Sequence, residues 1–148
     1  SPDISGLIGQ YAHGNEPVHH VPYMYSLTSQ KWKGEQRIKE IRDTMYRDDP
    51  DGLSGNDDVG QMSAWYVFSA LGFYPLNPAD GQYVLGTPQF EQVDIQLPKN
   101  KTFTVKSVLS GETSDGYVKQ ATLNGKPVNM NTISHNDVMQ GGELVFTF

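Results

Sequence analysis

The sequence predicts an α+β protein in which helices come first and antiparallel strands follow. Apolar residues of the first half recur at helical spacing, as in Ile38, Ile41 and Met45. From Asn77 onward the period drops to two: Val93, Ile95 and Leu97 alternate with Asp94 and Gln96. The two patterns occupy separate halves instead of alternating, which argues against parallel βαβ units and for helices followed by a sandwich-like β unit. The predicted division is residues 1–76, helical, and residues 77–148, strands.

Along the first half, a Gly-rich entry from Gly6 to Gly14 leads to a predicted helix over Pro17–Thr28, begun by Pro17 and interrupted in pattern by Pro22. Lys33–Tyr46 is a clearer amphipathic helix, with Lys39, Glu40, Arg42 and Asp43 toward water. Asp48–Asp57 is rich in turn residues. A third helix is expected over Asp58–Leu71, with Gly72 as a left-handed cap and Pro75 closing the end. Its apolar residues Met62, Trp65, Tyr66, Val67, Phe68 and Leu71 cover all sides, so it belongs inside a larger assembly.

In the second half, Phe103 and Val105 alternate with polar neighbours, and Leu144, Phe146 and Phe148 mark a further strand. Asn124-Gly125 signals a two-residue hairpin turn between Val118–Leu123 and Lys126–Met130.

Composition narrows the function. A net charge of −6 without Lys or Arg clusters argues against nucleic acid and anionic membranes. Without cysteine there is neither a disulfide framework nor a thiolate metal site. No apolar run reaches the roughly 18 residues of a membrane span. The start, Ser1-Pro2-Asp3-Ile4-Ser5-Gly6, shows neither an initiating Met nor a signal-peptide core, and reads as the middle of something longer.

Two segments carry chemistry. In Gly55-Asn56-Asp57-Asp58 a polar loop ends in adjacent carboxylates at the mouth of the third helix, where charge is costly to hold without a reason. Asp58 and Gln61 match a capping box, yet only one of the two Asp residues can cap. The other is expected to sit in the positive field of the helix end, with a lowered pKa, as an anionic general base toward water. The second segment, His13-Gly14-Asn15-Glu16-Pro17-Val18-His19-His20, gathers a carboxylate, an amide and three imidazoles. Adjacent His19 and His20 cannot share a helical face, which disfavours zinc. The histidines are then core hydrogen-bonders, or Asn15, Glu16 and a histidine grip a hydroxyl-rich ligand. Asp48-Asp49-Pro50-Asp51-Gly52 fails the EF-hand template and reads as a turn. Tyr11, Trp32, Trp65 and Tyr66 could stack on sugar rings, although core packing is the commoner fate, especially for Trp65.

Taken together, Gly-Gln-Tyr-Ala-His-Gly-Asn-Glu-Pro-x-His-His (9–20) and the Gly-Asn-Asp-Asp-x-Gly-Gln-Met-Ser-Ala-Trp-Tyr segment continuing to Pro75 closely resemble glycoside hydrolase family 92. Tyr-Val-Leu-Gly-Thr-Pro (83–88), Ala-Thr-Leu-Asn-Gly-Lys-Pro (121–127), Ile-Ser-His (133–135) and Gly-Gly-Glu-Leu-Val-Phe (141–146) extend the likeness over the whole chain. The family comprises calcium-dependent, inverting exo-α-mannosidases common in gut Bacteroides-type bacteria, with an N-terminal β-sandwich followed by an (α/α)6 barrel. The resemblance implies that this chain is the C-terminal part: residues 1–76 would be the last helices completing the barrel and residues 77–148 a C-terminal antiparallel unit.

It also implies a general base at Asp58, supported by Asp57, with Asn15, Glu16, His19, His20, Asn56 and Gln61 lining the sugar or calcium site. Calcium would contact the mannose 2- and 3-hydroxyls. The implied partners are α-mannosides (mannan or N-glycan mannose) and the remainder of the parent polypeptide, in a secreted, periplasmic or outer-surface setting. An inverting site needs its carboxylates about 6.5–9.5 Å apart, with room for water. The family's general acid lies in a Glu-Gly-Asn-Ala-Trp-Gln-Tyr motif that this chain lacks, so the chain alone is expected to be inactive. A non-catalytic carbohydrate-binding or structural module, and another (α/α)6 glycosidase, are the competing readings.

Overall fold

The computed structural model describes residues 4–129 and 131–148. Ser1–Asp3, read above as part of an interior start, and Met130, the predicted end of a hairpin strand, lie outside the described residues. The chain forms two compact units, Ser1–Phe68 and Ser69–Phe148.

The first unit opens with a two-residue-per-strand hairpin, β1 (Leu7–Ile8) and β2 (Tyr11–Ala12), paired antiparallel. The predicted helix over Pro17–Thr28 is instead two 3₁₀ turns, Glu16–Val18 and Val21–Leu27. Pro17 and Pro22 each start a turn; Pro22 lacks an N–H and its ring disfavours helical geometry in the residue before it, so no continuous α-helix passes it. Helix α1 (Lys31–Met45) begins two residues earlier than its pattern suggested and buries Ile38, Ile41 and Met45 together with Gly34. A Cβ at Gly34 would stand 2.7 Å from Tyr25 Cβ and 2.9 Å from the Pro22 carbonyl, so glycine lets the second 3₁₀ turn approach the helix. The ion pairs Lys31–Glu35, Arg37–Glu40 and Lys39–Asp43 run along α1; the last two are largely solvated and add little stability. The acidic loop is the expected turn. Asp51 N donates to Asp49 Oδ1 at 2.9 Å, and Arg47 ties it with bonds to Asp49 Oδ2 (3.0 Å) and the Asp51 carbonyl (2.8 Å).

Helix α2 spans Gln61–Leu71, starting three residues later than predicted. Asp58, Val59 and Gly60 precede it with φ of 48°, 59° and 92°, a left-handed turn that no helix can include. At its other end Gly72 adopts φ of 90°, as the glycine signal required.

In the second unit, β3 (Phe73–Asn77), β4 (Gln82–Leu85) and β9 (Thr132–Ser134) form an antiparallel sheet in the order β3-β4-β9. A larger sheet holds β5 (Gln92–Leu97), β6 (Lys101–Val108), β7 (Gln120–Leu123), β8 (Lys126–Pro127) and β10 (Gly142–Thr147), in the order β5-β6-β10-β7-β8. All its pairs are antiparallel except β6–β10, which run parallel with Leu144 opposite Val105. This departs from the uniformly antiparallel expectation, because β10 returns to the sheet between two hairpins and can oppose only one neighbour. Phe103, Val105, Leu144 and Phe146, all at most 2 % exposed, form the apolar face that period-two spacing announced. The turn between β7 and β8 has positive φ at Asn124 (50°) and Gly125 (79°), as the Asn-Gly signal predicted. A short helix, α3 (His135–Met139), escaped the sequence reading. It is opened by a capping box in which Ser134 and Asp137 satisfy each other's backbone N–H groups.

Candidate functional site

The candidate site lies within the first unit, where the turn entering α2 meets the first 3₁₀ turn. Its backbone is set by five hydrogen bonds. Gln61 N donates to the Asp58 carbonyl (3.2 Å), Met62 N to the Asp57 carbonyl (3.1 Å) and Ala64 N to the Gly60 carbonyl (2.8 Å). Asp57 Oδ1 accepts from Ser63 N at 2.9 Å and from Ser63 Oγ at 2.8 Å. Asp57 therefore caps the helix, not Asp58 as the spacing to Gln61 suggested. The left-handed φ of Asp58 turns its carboxyl out of the cap and leaves it exposed. Val59, β-branched and fully solvent-exposed, is held in the same strained region, where backbone strain of order 1–3 kcal/mol is typical.

The electrostatics of Asp58 reverse the expectation from the helix end. Its pKa is raised, first by desolvation, then by the charge of Glu16, by a hydrogen bond with the Glu16 carboxyl and by the charge of Asp57, with His19 opposing. With Asp57 taking the cap position, desolvation and the carboxylate neighbours outweigh the dipole. Asp58 and Glu16 are thus close enough to share a hydrogen bond, and His19 lies near both.

Behind them sits a buried pair of imidazoles. His13 and His19 stack with ring centroids 4.6 Å apart, and both are at most 1 % exposed. The Met62 carbonyl only accepts, so the Tyr46 hydroxyl, 3.0 Å away, donates to it. His13 Nε2, 2.6 Å from that hydroxyl, must then donate, which leaves Nδ1 to accept from the Tyr11 hydroxyl at 2.7 Å. His19 Nε2 donates to the His13 carbonyl at 2.8 Å, and its Nδ1 accepts from Gln61 Nε2 at 3.2 Å. Trp65 Nε1 donates to the His19 carbonyl at 3.0 Å. Both rings are therefore neutral. Burial and, secondarily, the charge of His19 lower the His13 pKa to about 3. Burial likewise lowers that of His19, against the opposing bond to His13 and the charges of Glu16 and Asp58.

The structure thus gathers Glu16, His19, Asp57, Asp58 and Gln61. Asn15 is half-buried at the start of the first 3₁₀ turn, its side chain not used as a cap. Asn56 is exposed in the preceding loop, and His20 is exposed at the start of the second turn, outside the cluster. Of the aromatics considered as sugar platforms, Trp65 is fully buried against His13 and Tyr46, so it belongs to the core, whereas Trp32 is 49 % exposed. Sequence reasoning missed Tyr46 as a site component. It lies just past α1 with no local pattern to mark it, and only the fold brings it to Met62. Among the described residues no group of three His, Cys, Asp or Glu side chains is arranged to hold a metal ion. A cavity of about 420 Å³ lined by Tyr46, Arg47, Ser63 and Tyr66 includes Tyr66 of the stacking candidates but none of Asn15, Glu16, His19, His20, Asn56, Asp57, Asp58 or Gln61. Glu16 and Asp58 face open solvent.

Comparison with known proteins gives a consistent picture. Residues 1–148 match the model of the glycosyl hydrolase family 92 catalytic domain. A family GH92 α-mannosidase of Bacteroides thetaiotaomicron, solved in complex with mannoimidazole, is similar with a TM-score of 0.88 at 40 % identity; the match covers 98 % of this chain and 19 % of that one. A family GH92 inverting mannosidase of the same species gives a TM-score of 0.81 at 40 % identity, covering 94 % and 19 % respectively. An uncharacterized secreted glycosidase of Arthroderma benhamiae is 34 % identical over 136 residues, 90 % of this chain and 18 % of that protein. The chain spans about a fifth of the length of these relatives.

Proposed function

The chain belongs to glycosyl hydrolase family 92, and on that premise we propose that it is the C-terminal part of an enzyme removing terminal α-linked mannose with inversion, Asp58 acting as general base. The observation that carries this reading is the exposed Asp58 carboxyl, released from helix capping by a left-handed turn and set among Glu16, His19 and Gln61. A raised pKa makes Asp58 a stronger base in its ionised form, suited to taking a proton from water. Gln61, oriented by His19, and Asn15 offer amide groups to sugar hydroxyls.

Glu16 is not the acid partner. Its carboxyl is within hydrogen-bonding reach of Asp58, whereas inversion needs the pair about 6.5–9.5 Å apart to admit water. The acid, and with it the mannan or N-glycan mannose specificity, belongs to the remainder of the parent polypeptide, and the chain alone releases no mannose. Helices α1 and α2 are the last members of an (α/α)6 barrel in this reading; Val67, apolar yet 54 % exposed on α2, fits a helix with further partners. A calcium requirement belongs to the whole enzyme. The described residues here do not by themselves form a group of three His, Cys, Asp or Glu side chains suited to the ion. We place the enzyme outside the cytoplasm, at the bacterial periplasm or outer surface, in line with the relative named as secreted. Among the described residues no helix is long and apolar enough to cross a membrane.

The test is mannose release from an α-mannobioside by the full-length parent, with calcium or chelator, for wild type and Asp58→Asn. Calcium-dependent activity that falls by orders of magnitude in the variant supports the reading. Activity surviving the mutation removes the base role from Asp58. No activity on any mannoside turns the assignment toward a carbohydrate-binding or structural module.

A further inference from the structure

We propose that Tyr46 and His13 are positioning residues that hold the strained Asp58–Gly60 turn in place through the Met62 peptide. This rests on the base role given to Asp58 above, and it assigns work to residues that touch neither substrate nor reacting atoms.

Three consecutive residues, Asp58, Val59 and Gly60, are held at positive φ (48°, 59° and 92°), and only the last is glycine. Such strain persists only where the surroundings over-determine it. Val59 contributes nothing to this, since its side chain is fully exposed. The constraint comes from the far side of α2. The Met62 N–H donates to the Asp57 carbonyl at 3.1 Å, and the Met62 carbonyl accepts from Tyr46 at 3.0 Å. One residue therefore carries both the turn and its anchor.

The Tyr46 hydroxyl has a single proton. It reaches Met62 only because His13 Nε2, at 2.6 Å, donates to the hydroxyl and does not accept from it. Nδ1 of that tautomer is then left to accept from the Tyr11 hydroxyl, 2.7 Å away. The chain Tyr11–His13–Tyr46–Met62 thus has one direction of donation throughout. In parallel, His19 holds Gln61, the residue before Met62, and Trp65 holds His19. A solvated sugar-facing turn is anchored by a directional, buried relay.

Tyr46→Phe isolates the relay. The phenyl ring keeps the stack on Trp65 (5.9 Å between centroids, 6° between planes) and the contact with Tyr66 (4.9 Å), so the core survives. What is lost is the bond to Met62 and, with it, the acceptor for His13 Nε2. In the full-length enzyme, kcat on an α-mannoside is expected to fall about 10- to 100-fold, the effect of a small misplacement of a reacting group, with KM within about three-fold. The acid limb of the pH–rate profile is expected to move to lower pH, because a relaxed turn hydrates Asp58 and carries it away from Glu16, lessening the desolvation and the carboxylate contact that raise its pKa, with Asp57 and His19 the other titratable groups facing it. Amide hydrogen exchange of residues 57–64 is expected to speed up without a matching fall in melting temperature. Tyr11→Phe, which removes the hydrogen-bond partner of His13 Nδ1, should act in the same direction and more weakly.

An unchanged kcat with an unmoved acid limb overturns the proposal. If the wild type cleaves no mannoside, the functional reading falls instead, and exchange at residues 57–64 alone decides the relay: protection unaltered in Tyr46→Phe overturns it.

Discussion

Lowering the pH from 7.5 to 5.5 should weaken the fold through its buried imidazoles, His13 above all. Its ring is wholly buried, donates to Tyr46, accepts from Tyr11 and stacks on a second imidazole, so a proton on Nδ1 would face a hydroxyl already oriented toward it. The folded pKa is about 3 against 6.5 for a free histidine. A group depressed in the folded state binds its proton first in the unfolded chain. Its stabilisation is complete above pH 6.5 and is lost as pH falls toward 3. With these two values, linkage removes about 1 kcal/mol by pH 5.5 and about 3 kcal/mol by pH 4.5. Urea unfolding at the two pH values measures the loss, and His13→Gln, run in parallel, lacks the His13 share of the slope. Exchange of the imidazole C2 proton, followed by mass spectrometry, reads the titration directly. A His13 midpoint near 6.5, or equal pH slopes in wild type and variant, would refute the neutral-ring argument.

Asp57→Ala should destabilise the first unit by about 1 kcal/mol in urea, since it strips the cap from Ser63 N and Oγ. Val59→Gly should raise stability by up to about 1 kcal/mol, because it removes left-handed strain from a side chain with no packing to lose; a loss of stability would show that the turn imposes no strain. Glu16→Gln should shift the acid limb of kcat/KM in the full-length enzyme to lower pH. A base is lost as pH falls through its pKa, and Glu16 is among the groups that raise that of Asp58. An unmoved limb would mean that Asp58 is not the titrating group. Gly14→Ala should disrupt the β1–β2 hairpin and its neighbours, as the added Cβ would stand 2.6 Å from the Ser54 carbonyl; a thermal melt of the variant checks it.

Periodic elements were legible in the sequence: α1, the apolar face of β5, β6 and β10, and the Asn-Gly hairpin all follow from spacing and turn chemistry. The identity of the cluster was legible too, since Glu16, His19, Asp57, Asp58 and Gln61 were all nominated. What failed were judgements that depend on backbone sign or distant partners. The Asp58–Gln61 spacing looks like a capping box, but spacing carries no information about φ, and the left-handed turn passes the cap to Asp57. The direction of the Asp58 pKa was misjudged for a related reason: its desolvation and its neighbour Glu16, 42 positions earlier in sequence, arise only on folding. Tyr46 and the parallel β6–β10 pair were invisible because long-range pairing leaves no local period.

That parallel pair also governs the order in which the second unit can assemble. Strand β10 lies at the centre of its sheet, between β6 of one hairpin and β7 of the other. During synthesis those hairpins emerge first and have no strand to join them. Their apolar faces, including Phe103 and Val105, stay open until residues 142–147 clear the ribosome. A stop codon anywhere before Gly142 would therefore leave two unjoined hairpins with exposed edges instead of a slightly shortened sheet, a product for proteases and chaperones.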